Sequence, residues 1–271
     1  MGKRKKPPPP RKRAAPKPAP AATRPWLPAA VLLGIVAIAV VVFILTRPGP
    51  PKPPPKHVNV VAELSALAPS ELATVGKGSA ITVHLKNISE ASLTSGGKPE
   101  FLYIGAEYCP YCAGERWAMI VALSRFGTFS GVQTITSTEG DLPTFTFHGA
   151  SYNSPYLVFR PVEAADRNGN VLDKPTTAES ALERKYSTGY PFVDFGNRLV
   201  FEGATFDVST LEGVNWQQVV TQLKQPDTSL AQGILGSANV ITASLCQLTE
   251  QQPSAVCSDP AIQSLEKQLP S

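Results

Sequence analysis

Cys109 and Cys112 are two of the four cysteines in the chain, and only Pro110 and Tyr111 separate them. An apolar run, Phe101–Ala106, precedes the motif and reads as a short buried strand. A helix-compatible run follows from Pro110 to about Phe126, with Gly127 as its stop. The motif therefore sits where a strand hands over to a helix. Pro110 suits the first helical position, where a missing N–H costs nothing. Cys109 then lies at the helix N-terminus, among unpaired N–H groups and at the positive end of the dipole. Both lower a thiol pKa, and the thiolate is the reactive form. Cys112 is one turn further in and less exposed. The division of labour expected is that Cys109 attacks a substrate disulfide and Cys112 resolves the mixed disulfide.

Other chemistries compete for the same pair. A zinc site needs a second Cys-x-x-Cys or a histidine pair, but Cys246 and Cys257 have ten residues between them and His57, His84 and His148 are scattered. A Cys pair with one histidine could bind copper, and His148 is the candidate. A static Cys109–Cys112 disulfide would constrain few chain conformations, because the ring is so short. The reading adopted is a redox-active Cys109–Cys112 disulfide with no metal and no further cofactor. Cys246 and Cys257 are read as a structural disulfide, with a second redox relay as the alternative.

The surrounding elements must position the pair. Val58–Leu72 is helix-compatible with a break at Pro69-Ser70, and Ile81–Leu85 alternates as a strand does. Val132–Thr136 reads as a second core strand, Thr144–Phe147 and Tyr156–Phe159 as two more, and Thr177–Tyr186 as a helix. Phe192–Phe195 and Leu199–Phe201 flank Gly196-Asn197, a two-residue hairpin signal. Val214–Lys224 is an amphipathic helix, and Leu230–Leu248 a final one. The pattern predicts an α/β fold with a central sheet and an insertion over about Thr138–Ser187. Pro191 opens a strand that would face the redox helix, and it is expected to be cis, leaving backbone groups free for an extended substrate. Ser154-Pro155 is the rival position. Glu107, Tyr108, Pro110, Tyr111 and Tyr190 are assigned to the substrate groove. Trp117, Met119 and Val121 are expected in the helix core.

The first fifth of the chain is a different material. Residues 1–56 carry 12 Lys or Arg and no acid, whereas residues 57–271 carry 13 against 21, a net of −8 (13 − 21). A mildly acidic body argues against nucleic acid as a partner. Residues 1–25 cannot bury a core and read as a disordered, basic, Pro-rich tail. Leu27–Leu45 follows, uncharged over 19 residues, enough to span a hydrocarbon core of roughly 30 Å. Residues 26–46 are therefore expected to form a transmembrane helix, with Trp26 at the interface and Arg24 and Arg47 flanking. A cleaved signal peptide would need a small-residue cleavage site where Thr46-Arg-Pro-Gly-Pro-Pro stands. The excess of basic residues before the span places the N-terminus in the cytoplasm and residues 57–271 outside. Residues 47–56 are a polyproline spacer.

The run Phe101-Leu-Tyr-Ile-Gly-Ala-Glu-Tyr-Cys-Pro-Tyr-Cys-Ala-Gly-Glu-Arg-Trp117, with Tyr190-Pro191 and the Gly196-Asn197 hairpin downstream, resembles the thioredoxin superfamily. More closely, with Ala122-Leu-Ser-Arg-Phe-Gly-Thr-Phe129 it resembles the membrane-anchored family catalogued as domain of unknown function 929. Cys-Pro-Tyr-Cys also occurs in glutaredoxins, but their glutathione-binding Gly-Gly-Asp turn has no counterpart here. The resemblance implies a thioredoxin-like mixed sheet flanked by helices over about Ile81–Lys224. It also implies Cys109 as nucleophile, Cys112 as resolving thiol and Pro191 as the cis-proline. Thioredoxins carry a buried acid on the strand before the motif, and Phe101–Ala106 has none. The function expected is a membrane-anchored thiol–disulfide oxidoreductase acting on exported protein thiols or disulfides, with an electron donor or acceptor as second partner and the bilayer as anchor. The alternative is a non-catalytic binding or Cu/Zn-handling module of the same fold.

Overall fold

The computed structural model describes residues 59–270. The predicted tail (1–25), membrane span (26–46) and spacer (47–56) lie outside the described residues, as does His57. Among the described residues, no helix is long and apolar enough to cross a membrane.

Two short helices come first, α1 (Val60–Ser65) and α2 (Pro69–Val75). The break expected at Pro69-Ser70 falls just before them, at residues 66–68, and Pro69 begins the second helix because its fixed φ suits a first turn. The strand expected at Ile81–Leu85 is absent. That segment runs as turns, and the Ile81 N–H donates to the Thr205 carbonyl at 2.6 Å. Then come β1 (Lys86–Asn87), β2 (Thr94–Ser95) and the long β3 (Lys98–Ala106), which leads into α3 (Pro110–Leu123). After α3 come β4 (Thr128–Ser130), β5 (Gln133–Thr136), β6 (Pro143–Thr146), β7 (Ser151–Asn153) and β8 (Val158–Ala165). Helix α4 (Thr177–Tyr186), the hairpin of β9 (Phe192–Phe195) and β10 (Leu199–Glu202), and α5 (Trp216–Leu223) follow. A π-helical turn (Ala231–Leu235) runs into α6 (Gly236–Leu248), and α7 (Ser254–Cys257) and α8 (Pro260–Glu266) finish the chain.

The central sheet is mixed. Strand β3 pairs antiparallel with β9 on one edge and parallel with β8 on the other, and β10 and then β1 extend it beyond β9. The parallel partner of β3 is thus β8, and Val132–Thr136, expected as a second core strand, is not part of this sheet. Residues 133–136 pair instead with β6 in a separate two-stranded sheet. Three of the four are polar and none is buried, which suits a surface ribbon. The strand expected at Tyr156–Phe159 is the start of β8, and Arg160, Pro161 and Glu163 hid its remainder in the sequence. Pro161 is tolerated because β8 forms an edge of the sheet, and both charged side chains find partners. The insertion therefore occupies residues 124–157, between α3 and β8, and α4 belongs to the crossover from β8 to β9.

Alternation along β3 sends its side chains to two layers. Phe101 and Tyr103 join the larger core with Trp117 of α3 and Ile241 of α6, and Leu102 and Ile104 pack with Val162, Phe192 and Leu182. Helix α3 is buried from Cys112 to Leu123. The β5–β6 ribbon covers it: Trp117 Nε1 donates to the Pro143 carbonyl at 2.8 Å, and Thr144 Oγ1 donates to the Ala113 carbonyl at 2.8 Å. Phe195 pairs with Leu199, so the β9–β10 connection has three residues, not the expected two; Gly196 and Asn197 take positive φ, and the Arg198 N–H closes the turn on the Phe195 carbonyl at 3.2 Å.

Candidate active site

Strand β3 ends at Ala106, and four residues later the chain is helical. Cys109 is the N-cap of α3 and Pro110 its first residue. The Cys112 N–H points at Cys109 Sγ over 3.4 Å, so the sulfur occupies the place of a capping oxygen. Across the site, the Tyr190 carbonyl lies 3.7 Å from Cys109 Sγ, and the Tyr190–Pro191 peptide is cis. Both Cys109 and Cys112 are free thiols.

Two side chains fix the wall opposite the cysteines. Glu202 of β10 accepts from the Thr188 N–H (2.9 Å) and Oγ1 (2.8 Å), which ties down the segment before Tyr190. The Gly203 N–H donates to the Pro191 carbonyl at 2.9 Å. Glu115 of α3, fully buried, holds the neighbouring loop. It accepts from the Thr205 N–H at 2.8 Å and from Thr205 Oγ1 at 3.0 Å. Between these walls lies a cleft of about 1080 Å³. Tyr108, Cys109, Pro110, Tyr111 and Tyr190 all line it. Tyr111 stands at the mouth, 54% exposed. Glu107 does not line it: the side chain is buried, and its N–H donates to the Ala165 carbonyl at 2.9 Å. Pro191 is buried behind Tyr190.

The two thiols are unlike. The Cys112 thiol is the largest influence on Cys109, followed by the opposing effect of burial. The N–H groups of Cys112 and Tyr111 and the Arg116 charge join Cys112, and together they bring Cys109 down from 9.0 to about 7. Cys112 goes the other way: burial first, then Cys109, push it well above the ordinary thiol range. A thiolate is thus favoured at the position that faces the cleft and disfavoured at the one behind it.

Beneath Cys112 lies a polar cluster that the sequence did not reveal. Arg116 and Glu163 are both fully buried and joined by two bonds, Nε to Oε1 at 2.9 Å and Nη2 to Oε2 at 2.6 Å. Arg116 Nη2 also donates to the Ala106 carbonyl at 2.9 Å. Burial acts against the guanidinium charge, but Glu163 more than offsets it, so Arg116 stays protonated. Tyr103 of β3 packs beside the guanidinium, 5.8 Å from ring centroid to Cζ. The available signal was a Glu-Arg pair at 115–116 inside an otherwise apolar helix, and Gly105 inside a strand.

Cys246 and Cys257 form a disulfide, buried between α6 and α7 and away from the residues lining the cleft. His148 pairs with Asp173, Nδ1 to Oδ1 at 2.9 Å. Among the described residues, no three His, Cys, Asp or Glu side chains group as a metal site.

Residues 84–188 match the family model of a domain of unknown function (DUF929), in agreement with the resemblance carried by Phe101–Trp117. No curated protein and no solved structure matches the chain.

Proposed function

We propose that the chain is a membrane-anchored thiol–disulfide oxidoreductase that acts on extracytoplasmic protein disulfides through Cys109 and Cys112. One observation carries the reading. A cysteine whose sulfur caps a helix, with its thiol brought down to about 7, opens onto a cleft, and a second cysteine stands directly behind it. That is what nucleophilic attack followed by intramolecular resolution requires. The β3–α3–β8 crossover, followed by α4 and the β9–β10 hairpin, supports a thioredoxin-like reading of the fold. In this reading the Tyr190 backbone, opposite Cys109, is where an extended substrate would lie. The cleft is open enough for a polypeptide, which favours protein substrates. No cofactor beyond the cysteine pair is invoked. Leu27–Leu45 and the basic residues before it support anchoring in the bilayer with the catalytic domain outside.

The test is trapping in cells. With Cys112→Ala, Cys109 should accumulate mixed disulfides with exported proteins, reversed by dithiothreitol and abolished by adding Cys109→Ser. Absence of adducts in the Cys112→Ala strain, together with tight stoichiometric copper or zinc uptake by the reduced protein, would point instead to the metal-handling module.

A further inference from the structure

Two donors near Cys112 are buried and unspent. The Tyr103 hydroxyl is fully buried and has no hydrogen-bond partner among the described residues, and the same holds for Arg116 Nη1. Buried donors without partners are rare and call for an explanation. Here they lie beside one sulfur. Gly105 shows how close the approach is: a Cβ placed there would overlap the Tyr103 hydroxyl and lie 3.0 Å from Cys112 Sγ. A glycine near the end of β3 thus leaves open the space that the hydroxyl and the thiol both border. Arg116 is one helical turn beyond Cys112, on the same face, and Glu163 clamps it there.

We propose that the Tyr103 hydroxyl and the Arg116 guanidinium hold Cys112 as the attacking thiolate once Cys109 is tied up in a mixed disulfide. This rests on the oxidoreductase reading and assigns the task for which Phe101–Ala106 carries no acid. In the resting pair, the charge sits on Cys109 and keeps Cys112 protonated. In the mixed disulfide, Cys109 carries no charge, and the two donors act on Cys112 alone. Cys112 is fully buried and does not line the cleft, so its proton passes toward the departing substrate sulfur. The Cys112 sulfur attacks Cys109 Sγ, and a Cys109–Cys112 bond forms. The bond to the substrate sulfur breaks, and that sulfur leaves with the electron pair and takes up the proton as a thiol. The cysteine pair is oxidised and the substrate disulfide reduced. Tyr103, held in its neutral form by burial, remains a donor throughout. The other ionisable groups facing Cys112 are Cys109, Tyr108 and Tyr190, with Glu163 behind Arg116. Tyr103 and Arg116 are positioning residues: they act through Cys112.

The experiment uses the full chain in detergent, reduced and mixed with dithiobis-nitrobenzoate. The first nitrothiobenzoate released reports attack by Cys109, and the second reports resolution by Cys112. In Tyr103→Phe the second release should slow about tenfold at pH 7, and its half-maximal pH should rise by about one unit, as loss of a hydrogen bond to a charged group predicts. The first release should stay within about twofold of wild type, since Cys109 keeps its own cap. Stability should be unchanged or higher, because deleting an unpartnered buried hydroxyl leaves no group unpaired, whereas a purely structural role predicts lost stability and an unshifted pH profile. The double variant Arg116→Gln/Glu163→Gln, which leaves no charge unpaired, should also raise the half-maximal pH. If native protein shows no first release, the oxidoreductase reading fails. If it shows both releases and Tyr103→Phe keeps the wild-type pH profile of the second, the Tyr103 assignment is overturned. An unshifted profile in a folded double variant overturns that of Arg116.

Discussion

Arg116 on α3 and Glu163 on the neighbouring parallel strand form a two-bond ion pair from which water is wholly excluded. The pair joins α3 to β8, the two elements that the insertion at 124–157 separates in sequence. Glu163 also ties in the insertion itself, accepting from the Phe147 N–H at 3.1 Å. The floor of the site is therefore an electrostatic junction of three segments.

Glu163→Gln leaves the Arg116 charge buried without its partner. Breaking a buried pair from one side costs about 3–5 kcal/mol, which in a domain of this size lowers the melting temperature by roughly 10 °C. Arg116→Met/Glu163→Leu, which removes both charges, should recover most of that loss. Urea denaturation of the reduced proteins measures both. Equal loss in single and double variants would mean that packing, not charge, is at stake.

Cys109 should alkylate with a rate that rises with pH and is half-maximal near 7, the value to which its surroundings bring it. The sign follows from the depressed pKa. The stabilised thiolate is fully present above the ordinary thiol value of 9.0 and is lost as pH falls through about 7. Cys112→Ala removes the largest influence and should move the midpoint upward. Iodoacetamide kinetics between pH 5 and 10 would show it, and a midpoint at the free-thiol value would contradict the capping geometry.

Glu115 behaves in the opposite sense. Burial raises its carboxyl from 4.5 to about 7, although Thr205 donates to it twice. A raised acid contributes stability that is complete below pH 4.5 and is lost as pH climbs through about 7. Between pH 5 and 8, Glu115→Gln should gain about 2–3 kcal/mol relative to wild type. Asp194 is raised to about 7 as well, so the quantity to measure is the difference between variant and wild type at each pH. A difference independent of pH would refute the assignment.

The Cys246–Cys257 bond closes a short loop at the end of α6, with a sequence separation of 11. Chain entropy assigns such a loop about 3 kcal/mol. Cys246→Ala/Cys257→Ala should lose about that much stability and leave the rate of Cys109 alkylation unchanged. A changed rate would make the bond a relay rather than a staple.

The sequence made the handover from β3 to α3 legible because Pro110 and the apolar run before it act locally. The Gly196-Asn197 turn was legible for the same reason: its two positive-φ residues are neighbours in sequence. Strand β8 was legible only at its start. Arg160, Pro161 and Glu163 interrupt its apolar pattern, and their compensation lies far away, at Glu179 for Arg160 and at Arg116 for Glu163. Glu115 and Arg116 look like a solvent-facing pair in one dimension. Only tertiary structure supplies Thr205 and Glu163, which let both be buried. Glu107 was placed in the groove by adjacency to the motif, yet the backbone turns it inward before Tyr108 reaches the cleft.

If Cys109 and Cys112 cycle between thiols and a disulfide, a redox titration of residues 57–271 will show it. Equilibrated with dithiol buffers of graded potential and quenched for thiol counting, the pair should titrate as one two-electron couple between roughly −270 and −120 mV. Cys109→Ser should abolish that transition while the Cys246–Cys257 bond remains oxidised. No transition at Cys109 and Cys112 in any native buffer would contradict the account.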